Sequence, residues 1–217
     1  NYNATVNVRY RHSGTALWKN AMPLFRVRPE TVLNYIVSPQ FAGSIFDLRP
    51  GTNYDVELQA VDPDGGSQTL LLARSTRSLP QLPVSPRNVS ANPSNFQSAL
   101  NAAQPGDVIT LADGIYTGLY TLNASGTPSN PIVIRGNHRD RVIFDGQNCT
   151  VCVQLWINST GDVQVERITF RNSARAIRLH ATNGSNFVLR RIRTTNVPTP
   201  IFSLWVDQVT IADSIFE

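Results

Sequence analysis

Apolar and polar residues alternate with a period of two through much of the chain, as expected of half-buried strands rather than helices. Residues 4–11 put Val6, Val8 and Tyr10 on one face and Thr5, Asn7, Arg9 and Arg11 on the other. Residues 54–61 repeat that pattern, residues 41–48 form a further apolar run, and a last strand is expected near 69–76. Asp62-Pro63-Asp64-Gly65-Gly66 supplies the turn before it. The pattern then breaks: Pro80, Pro83 and Pro86 fall within seven residues and hold the chain extended, so a linker is expected over 80–93. Ser94 or Asn95 follows as the N-cap of a short helix with Phe96, Leu100 and Ala103 on one side, ended by Pro105-Gly106.

Beyond the helix the alternation returns in short apolar segments, 108–111, 132–134, 142–144 and 153–157, divided by Gly, Asn, Asp and Pro. Three later segments superimpose, beginning at Val163, Phe187 and Val209, so their starts lie 24 and then 22 residues apart. A fixed period in the low twenties predicts a solenoid, one coil per repeat. Asn172 and Asn196 share a register and are expected to stack at a turn. The fold class is therefore all-β, with domains at 1–79 and 94–217 joined by the linker. The last repeat stops at Glu217 without a polar cap, so further coils are expected beyond it.

Between the repeats lies a second strand family: 153–158, 176–180 and 202–207. Alternation turns Leu155, Ile177, Leu179, Leu204 and Val206 inward. It leaves Gln154, Trp156 and Asn158 outward on one coil, Arg178 and His180 on the next, and Ser203, Trp205 and Asp207 on the third. With parallel neighbours about 4.8 Å apart, Trp156, Arg178 and Trp205 are expected to form an outward ladder flanked by Asn158, His180 and Asp207. An aromatic face stacks on a pyranose ring, and an arginine holds a carboxylate or sulfate. Cover of the tryptophans by loops or by the first domain, with Arg178 filling the space between them, is the structural alternative.

Composition changes the picture in few places. Charged residues make up 16% of 217 and the net charge is +4. Lys19 is the only lysine, and from Asn88 onward ten arginines face nine acidic residues. Neither a basic tail nor an aromatic RNA-binding signature is present, so nucleic acid is not expected as a partner. Scattered arginines suit carboxylate or sulfate recognition and a solvated surface equally well. There is no apolar run of about 18 residues to span a membrane. Cys149-Thr150-Val151-Cys152 lacks a thioredoxin-like context; a disulfide and two buried thiols both remain open. Six Asn-x-Ser/Thr sequons, at Asn3, Asn88, Asn123, Asn148, Asn158 and Asn183, arise easily in so Asn- and Thr-rich a chain.

Two stretches resemble known families. Leu48-Arg49-Pro50-Gly51-Thr52-Asn53-Tyr54 resembles the corner between strands E and F of a fibronectin type III sandwich, with Tyr54 as the corner tyrosine. By that resemblance residues 4–11 are strand C, continuing through Ser13-Gly14 to Trp18, and the first strands of the sandwich are expected upstream. Pro105-Gly106-Asp107-Val108-Ile109-Thr110-Leu111, running on through Asp113-Gly114-Ile115-Tyr116, resembles the opening coil of a right-handed parallel β-helix of the pectate-lyase type. It is most similar to the alginate-lyase and chondroitinase-B branch, polysaccharide lyase family 6, over residues 94–146. That resemblance implies a short capping helix over the first coil, a secreted or cell-surface location, and a monomer acting on an acidic polysaccharide.

The chemistry so implied is β-elimination, which needs a base for the proton α to a carboxylate and a cation for the enolate-like intermediate. In the branch a lysine and an arginine on later coils serve, beside calcium in some members. No lysine follows Lys19, and no Asp/Glu cluster has calcium spacing, so no metal ligand is assigned. Arg178 as stabiliser and His180 as base are the candidate catalytic pair; Trp156, Asn158, Trp205 and Asp207 are the candidate substrate-binding residues. Asp207 and Asp213 belong to different strand families and should not converge as inverting hydrolysis requires. A non-catalytic glycan-binding or adhesive β-helix is the alternative, with the sandwich as spacer or docking module.

Overall fold

In a computed structural model the described residues are 3–32 and 35–217. They fall into two units, Asn1–Leu79 and Pro80–Glu217. In the first unit, strands β1 (Thr5–His12), β2 (Lys19–Asn20), β7 (Asn53–Val61) and β8 (Ser67–Ser75) form an antiparallel sheet in the order β2-β1-β7-β8. Strands β3 (Phe25–Val27) and β6 (Gln40–Ala42) pair separately, as do β4 (Glu30–Val32) and β5 (Tyr35–Val37). The two clean alternations therefore meet as neighbours, Val8 opposite Leu58 and Arg9 opposite Glu57. Val6, Val8 and Tyr54 are buried. On the other face Arg9 makes a forked pair with Glu57 (2.6 and 2.8 Å), and Arg11 reaches Asp55 (2.9 Å). Both guanidinium groups lie over Trp18, at 4.8 and 4.4 Å from a ring centroid. The Arg49 N–H donates to the Tyr54 hydroxyl oxygen (2.9 Å). Of the apolar run 41–48 only the first two residues join a strand; Gly43 follows, and Asp47 has a left-handed φ of 58°.

The second unit is a β-solenoid of about 5 turns. It comprises β9 (Arg87–Ala91), helix α1 (Phe96–Asn101), β10 (Asp107–Leu111), β11 (Gly114–Tyr116), β12 (Tyr120–Leu122) and β13 (Ile132–Gly136), then β14 (Val142–Ile157), β15 (Gly161–Thr195), β16 (Thr199–Val206), β17 (Val209–Ala212) and β18 (Ile215–Phe216). The long β14 and β15 are chains of short strands that turn corners without losing the ladder. Their neighbours are parallel and build three faces. The first carries β9, β10, β13, residues 163–166 and 187–190, and β17. The second carries β11, residues 142–145, 169–171 and 193–194, and β18. The third carries β12, residues 153–157 and 175–180, and β16. The stretch 80–93, expected as linker, thus contains the first strand of the solenoid in its second half. Residues 81–84 also bond to this unit, since Gln164 Nε2 donates to the Gln81 carbonyl (2.6 Å) and the Val84 N–H to that of Ser129 (3.0 Å).

The corners explain the repeat. Left-handed φ values between 51 and 60° recur at Asp162, Asn186 and Gln208, at Arg167, Arg191 and Asp213, and at Asn172 and Asn196. Asn and Asp tolerate that region best among residues with a side chain, and their side chains also bond from coil to coil. Asn196 Nδ2 donates to Asn172 Oδ1 (3.1 Å), Asn172 Nδ2 to Asp145 Oδ1 (3.3 Å), and Asn186 Nδ2 to Asp162 Oδ1 (2.5 Å). Inside, the aliphatic row Ile109, Ile134, Val165 and Leu189 is fully buried. At the N-terminal end the filling is aromatic: Phe96 and Phe144 contact each other and both contact Tyr116 and Tyr120. Burial foremost pushes the Tyr116 phenol up to about 12, and its hydroxyl donates to the Ala112 carbonyl (2.9 Å). Helix α1 sends Phe96 and Leu100 into the same core. Asn95 is its N-cap by position, but its side chain accepts from the Asn92 N–H instead of capping the helix.

Candidate functional site

The outer side of the third face collects cationic and aromatic residues. Leu155, Ile157, Ile177 and Leu179 point inward and are fully buried. Strand alternation therefore turns Trp156, Arg178 and His180 outward. Trp156 stands opposite Arg178, whose guanidinium carbon lies 4.6 Å from a Trp156 ring centroid. The His180 ring is 6.2 Å from Trp156 on one side and 5.4 Å from Trp205 on the other. Cation–π geometry of this kind is worth about 0.5–2 kcal/mol and increases as water is excluded.

Trp205 does not stand opposite Arg178, as the sequence pattern predicts. Phe202 does, with Ser203 opposite Leu179 and Leu204 opposite His180. The interval from Arg178 to Phe202 is the 24-residue repeat, whereas Trp205 lies 27 residues on. A one-residue change of phase exchanges the faces of a strand, so Leu204 joins the His180 row and Ser203 the Leu179 row. The register then shifts between His180 and Gly184, and Trp205 takes a φ of 52°. That irregular position leaves it 70% exposed. Trp156, Arg178, His180 and Trp205 still form one connected surface, joined by Phe202.

Asn158 and Asp207 lie at its margins and are exposed. Asn158 Nδ2 donates to Asn123 Oδ1 (3.1 Å), and the Asp207 backbone N–H to the Gly184 carbonyl (2.7 Å); neither touches the aromatic–cation group through these bonds. Trp156 Nε1, Arg178 Nε and His180 Nδ1 are buried and have no hydrogen-bond partner among the described residues. Buried polar atoms without partners carry a desolvation penalty of about 1–3 kcal/mol each.

Sequence reasoning missed two neighbours of this surface. Phe202 is hidden by the wrong phase of its strand; the 24-residue spacing is the signal that could have found it. Arg175 is the first residue of the third face on its coil, at the corner where that face begins, its guanidinium carbon 5.3 Å from the Phe202 ring. Nearby, Cys149 and Cys152 pair as a disulfide. Asp145 lies behind the same corner. Burial pushes its carboxyl up, but the Gln147 N–H, Arg171 and Asn172 together hold it below the ordinary carboxylate value.

No group of three His, Cys, Asp or Glu side chains that could hold a metal occurs among the described residues. They do not fit a calcium site built from carboxylates, and no chemical step is assigned to one. Among the described residues no helix is long and apolar enough to cross a membrane.

A family model described as Chondroitinase B matches residues 90–198. Among solved structures the chain is similar to an alginate lyase from Paenibacillus sp. str. FPU-7, with 25% identity and a TM-score of 0.50 over 59% of this chain and 44% of that one. It is also similar to the PL6 family alginate lyase AlyGC, with 21% identity and a TM-score of 0.41 over 50% of this chain and 15% of that one. The chain thus spans less than half the length of the Paenibacillus enzyme. No curated protein matches it.

Proposed function

Because the chain belongs to the chondroitinase B family, we propose that it acts on an acidic polysaccharide held across the outer side of the third face, by lyase-like β-elimination. The observation that carries this reading is the contact of Arg178 and His180 with Trp156, with buried nitrogens on all three lacking partners among the described residues. Trp156 and Trp205 stack on sugar rings, and Arg178 holds a uronate carboxylate. Asn158 and Asp207 bind hydroxyl groups at the margins.

In the reaction the His180 imidazole takes the proton from the carbon α to that carboxylate. The electron pair left behind forms the new carbon–carbon double bond, and the glycosidic oxygen at the β carbon leaves, taking a proton from water. Arg178 offsets the charge that builds on the carboxylate as the proton departs. The same reading takes the protein as secreted or displayed at the cell surface, and as a monomer. The Arg49 N–H to Tyr54 hydroxyl contact supports reading the first unit as a fibronectin type III-like sandwich, a spacer or docking module. Phe96 and Leu100 in the shared core support reading α1 as the cap of the first coil.

A second reading, a non-catalytic glycan-binding surface, is favoured by one observation: Trp205 is 70% exposed beside His180, an aromatic face open to a sugar ring. The two readings separate in one assay. Ultraviolet absorbance of unsaturated uronate is followed with alginate, dermatan sulfate and pectate, with and without calcium. Elimination predicts a rise that Arg178→Ala and His180→Ala each lower by about 100-fold or more, the range for a positioned acid–base group. A flat trace from folded protein that still binds the polymer would leave the binding reading in its place.

A further inference from the structure

Between the second and third faces runs a groove of about 440 Å³ whose walls come from three successive coils, through Asn148, Asn172, Asn196 and Thr199 among others. These walls offer amides and hydroxyls. Among the described residues Arg175 is the one charged residue lining the groove. In the solenoid unit, seven of the eleven arginines are in ion pairs; Arg175 and Arg178 have no ion-pair partner among the described residues. Arg175 reaches the Val151 carbonyl at 3.5 Å, and its buried Nε has no partner among the described residues. Its guanidinium carbon and that of Arg178 lie 5.3 and 5.8 Å from the same Phe202 ring.

A second, independent feature lies behind the groove wall. Gln154 is 1% exposed. Its Oε1 accepts from the Ser173 hydroxyl (2.9 Å), which itself belongs to the groove lining, while its Nε2 has no partner among the described residues. A buried amide hydrogen without an acceptor is rare in folded proteins. Here it lies next to the residues that would face a ligand.

We propose that this groove is a second subsite of the glycan surface, in which Arg175 takes the carboxylate of another uronate of the chain that Arg178 holds. Arg175 and Arg178 are three positions apart on the strand, about 10 Å, a span of roughly two pyranose rings. Phe202 supplies the apolar surface between them. A polyuronate accordingly lies along the strand direction, around the girth of the solenoid, with one end among the asparagines of the groove. The planar forks of both arginines favour carboxylates, which they bind through two parallel N–H donors. The subsite rests on the reading that the third face binds glycan.

Native electrophoresis of the full chain through gels containing graded alginate tests it, the dissociation constant being read from retardation. Arg175→Ala should weaken binding about tenfold, the loss of one charge-assisted contact, and Arg175→Lys should recover only part of it. Arg178→Ala should weaken it by a similar factor, and Arg28→Ala, an exposed arginine of the first unit, should leave it unchanged. Melting temperatures of the variants confirm folding. Retardation weakened by Arg178→Ala but untouched by both Arg175 variants would overturn the subsite while the third-face reading survives. No retardation of the wild-type chain would overturn both.

Discussion

At the scale of single residues, the molecule separates side chains that hold the fold from those that face outward unpaired. Asn172 belongs to the first kind. It has a φ of 54°, donates to Asp145 and accepts from Asn196. Asn172→Ala removes both bonds and puts a poorly suited residue in left-handed space, so a loss of about 2–4 kcal/mol is expected in urea unfolding. Asp145 adds a pH dependence. Its carboxyl is held below the ordinary value of 3.8. The sign follows: its contribution is complete above that value and disappears as the pH falls through the lower folded value. Asp145→Asn should therefore flatten the acid limb of a stability–pH curve while lowering stability at neutral pH. Arg178 belongs to the second kind. Its contacts are with the Trp156 and Phe202 rings, so Arg178→Ala should change the unfolding free energy by no more than about 2 kcal/mol. A large loss would mean that Arg178 is a structural filler.

At the scale of elements, the coil is set by its corners as much as by its strands. Gly161 has a φ of 134°, and a Cβ built there would collide with the Ser185 carbonyl oxygen of the next coil. Gly161→Ala should thus cost about 3 kcal/mol or more and slow or prevent folding, measurable as a lower melting temperature or insoluble expression. The strands and their parallel stacking are legible in the sequence because residue type repeats with coil length: Val163 and Phe187 both turn inward, and Asn172 recurs as Asn196. Strand β9 is not, since Arg87-Asn88-Val89-Ser90-Ala91 has only two apolar positions and follows three prolines. Its place comes from pairing with β10, a contact that no local pattern announces. The site is legible in part. Trp156, Arg178 and His180 follow from alternation. Phe202 and Trp205 do not, because the change of phase along β16 and the register shift before Gly184 break the period on which that reading depends. Arg175 sits at a corner, where alternation ceases to tell inside from outside.

At the scale of the whole molecule, two units share one chain, Asn1–Leu79 and Pro80–Glu217, and the unpaired aromatic–cation surface lies on the second. The three tryptophans report on them separately. Trp18 is held beside Arg9 and Arg11 in the first unit, while Trp156 and Trp205 flank His180 in the second. A ligand on the third face should therefore change the emission of Trp156 and Trp205 and leave Trp18 unaffected. The most direct measurement is a tryptophan-fluorescence titration of the full chain with alginate oligosaccharides. A saturable change that persists in Trp18→Phe and is lost or strongly reduced when Trp156 and Trp205 are both changed to Phe is the expected result. A change carried entirely by Trp18, or none in the folded wild-type chain, would contradict glycan binding on the third face.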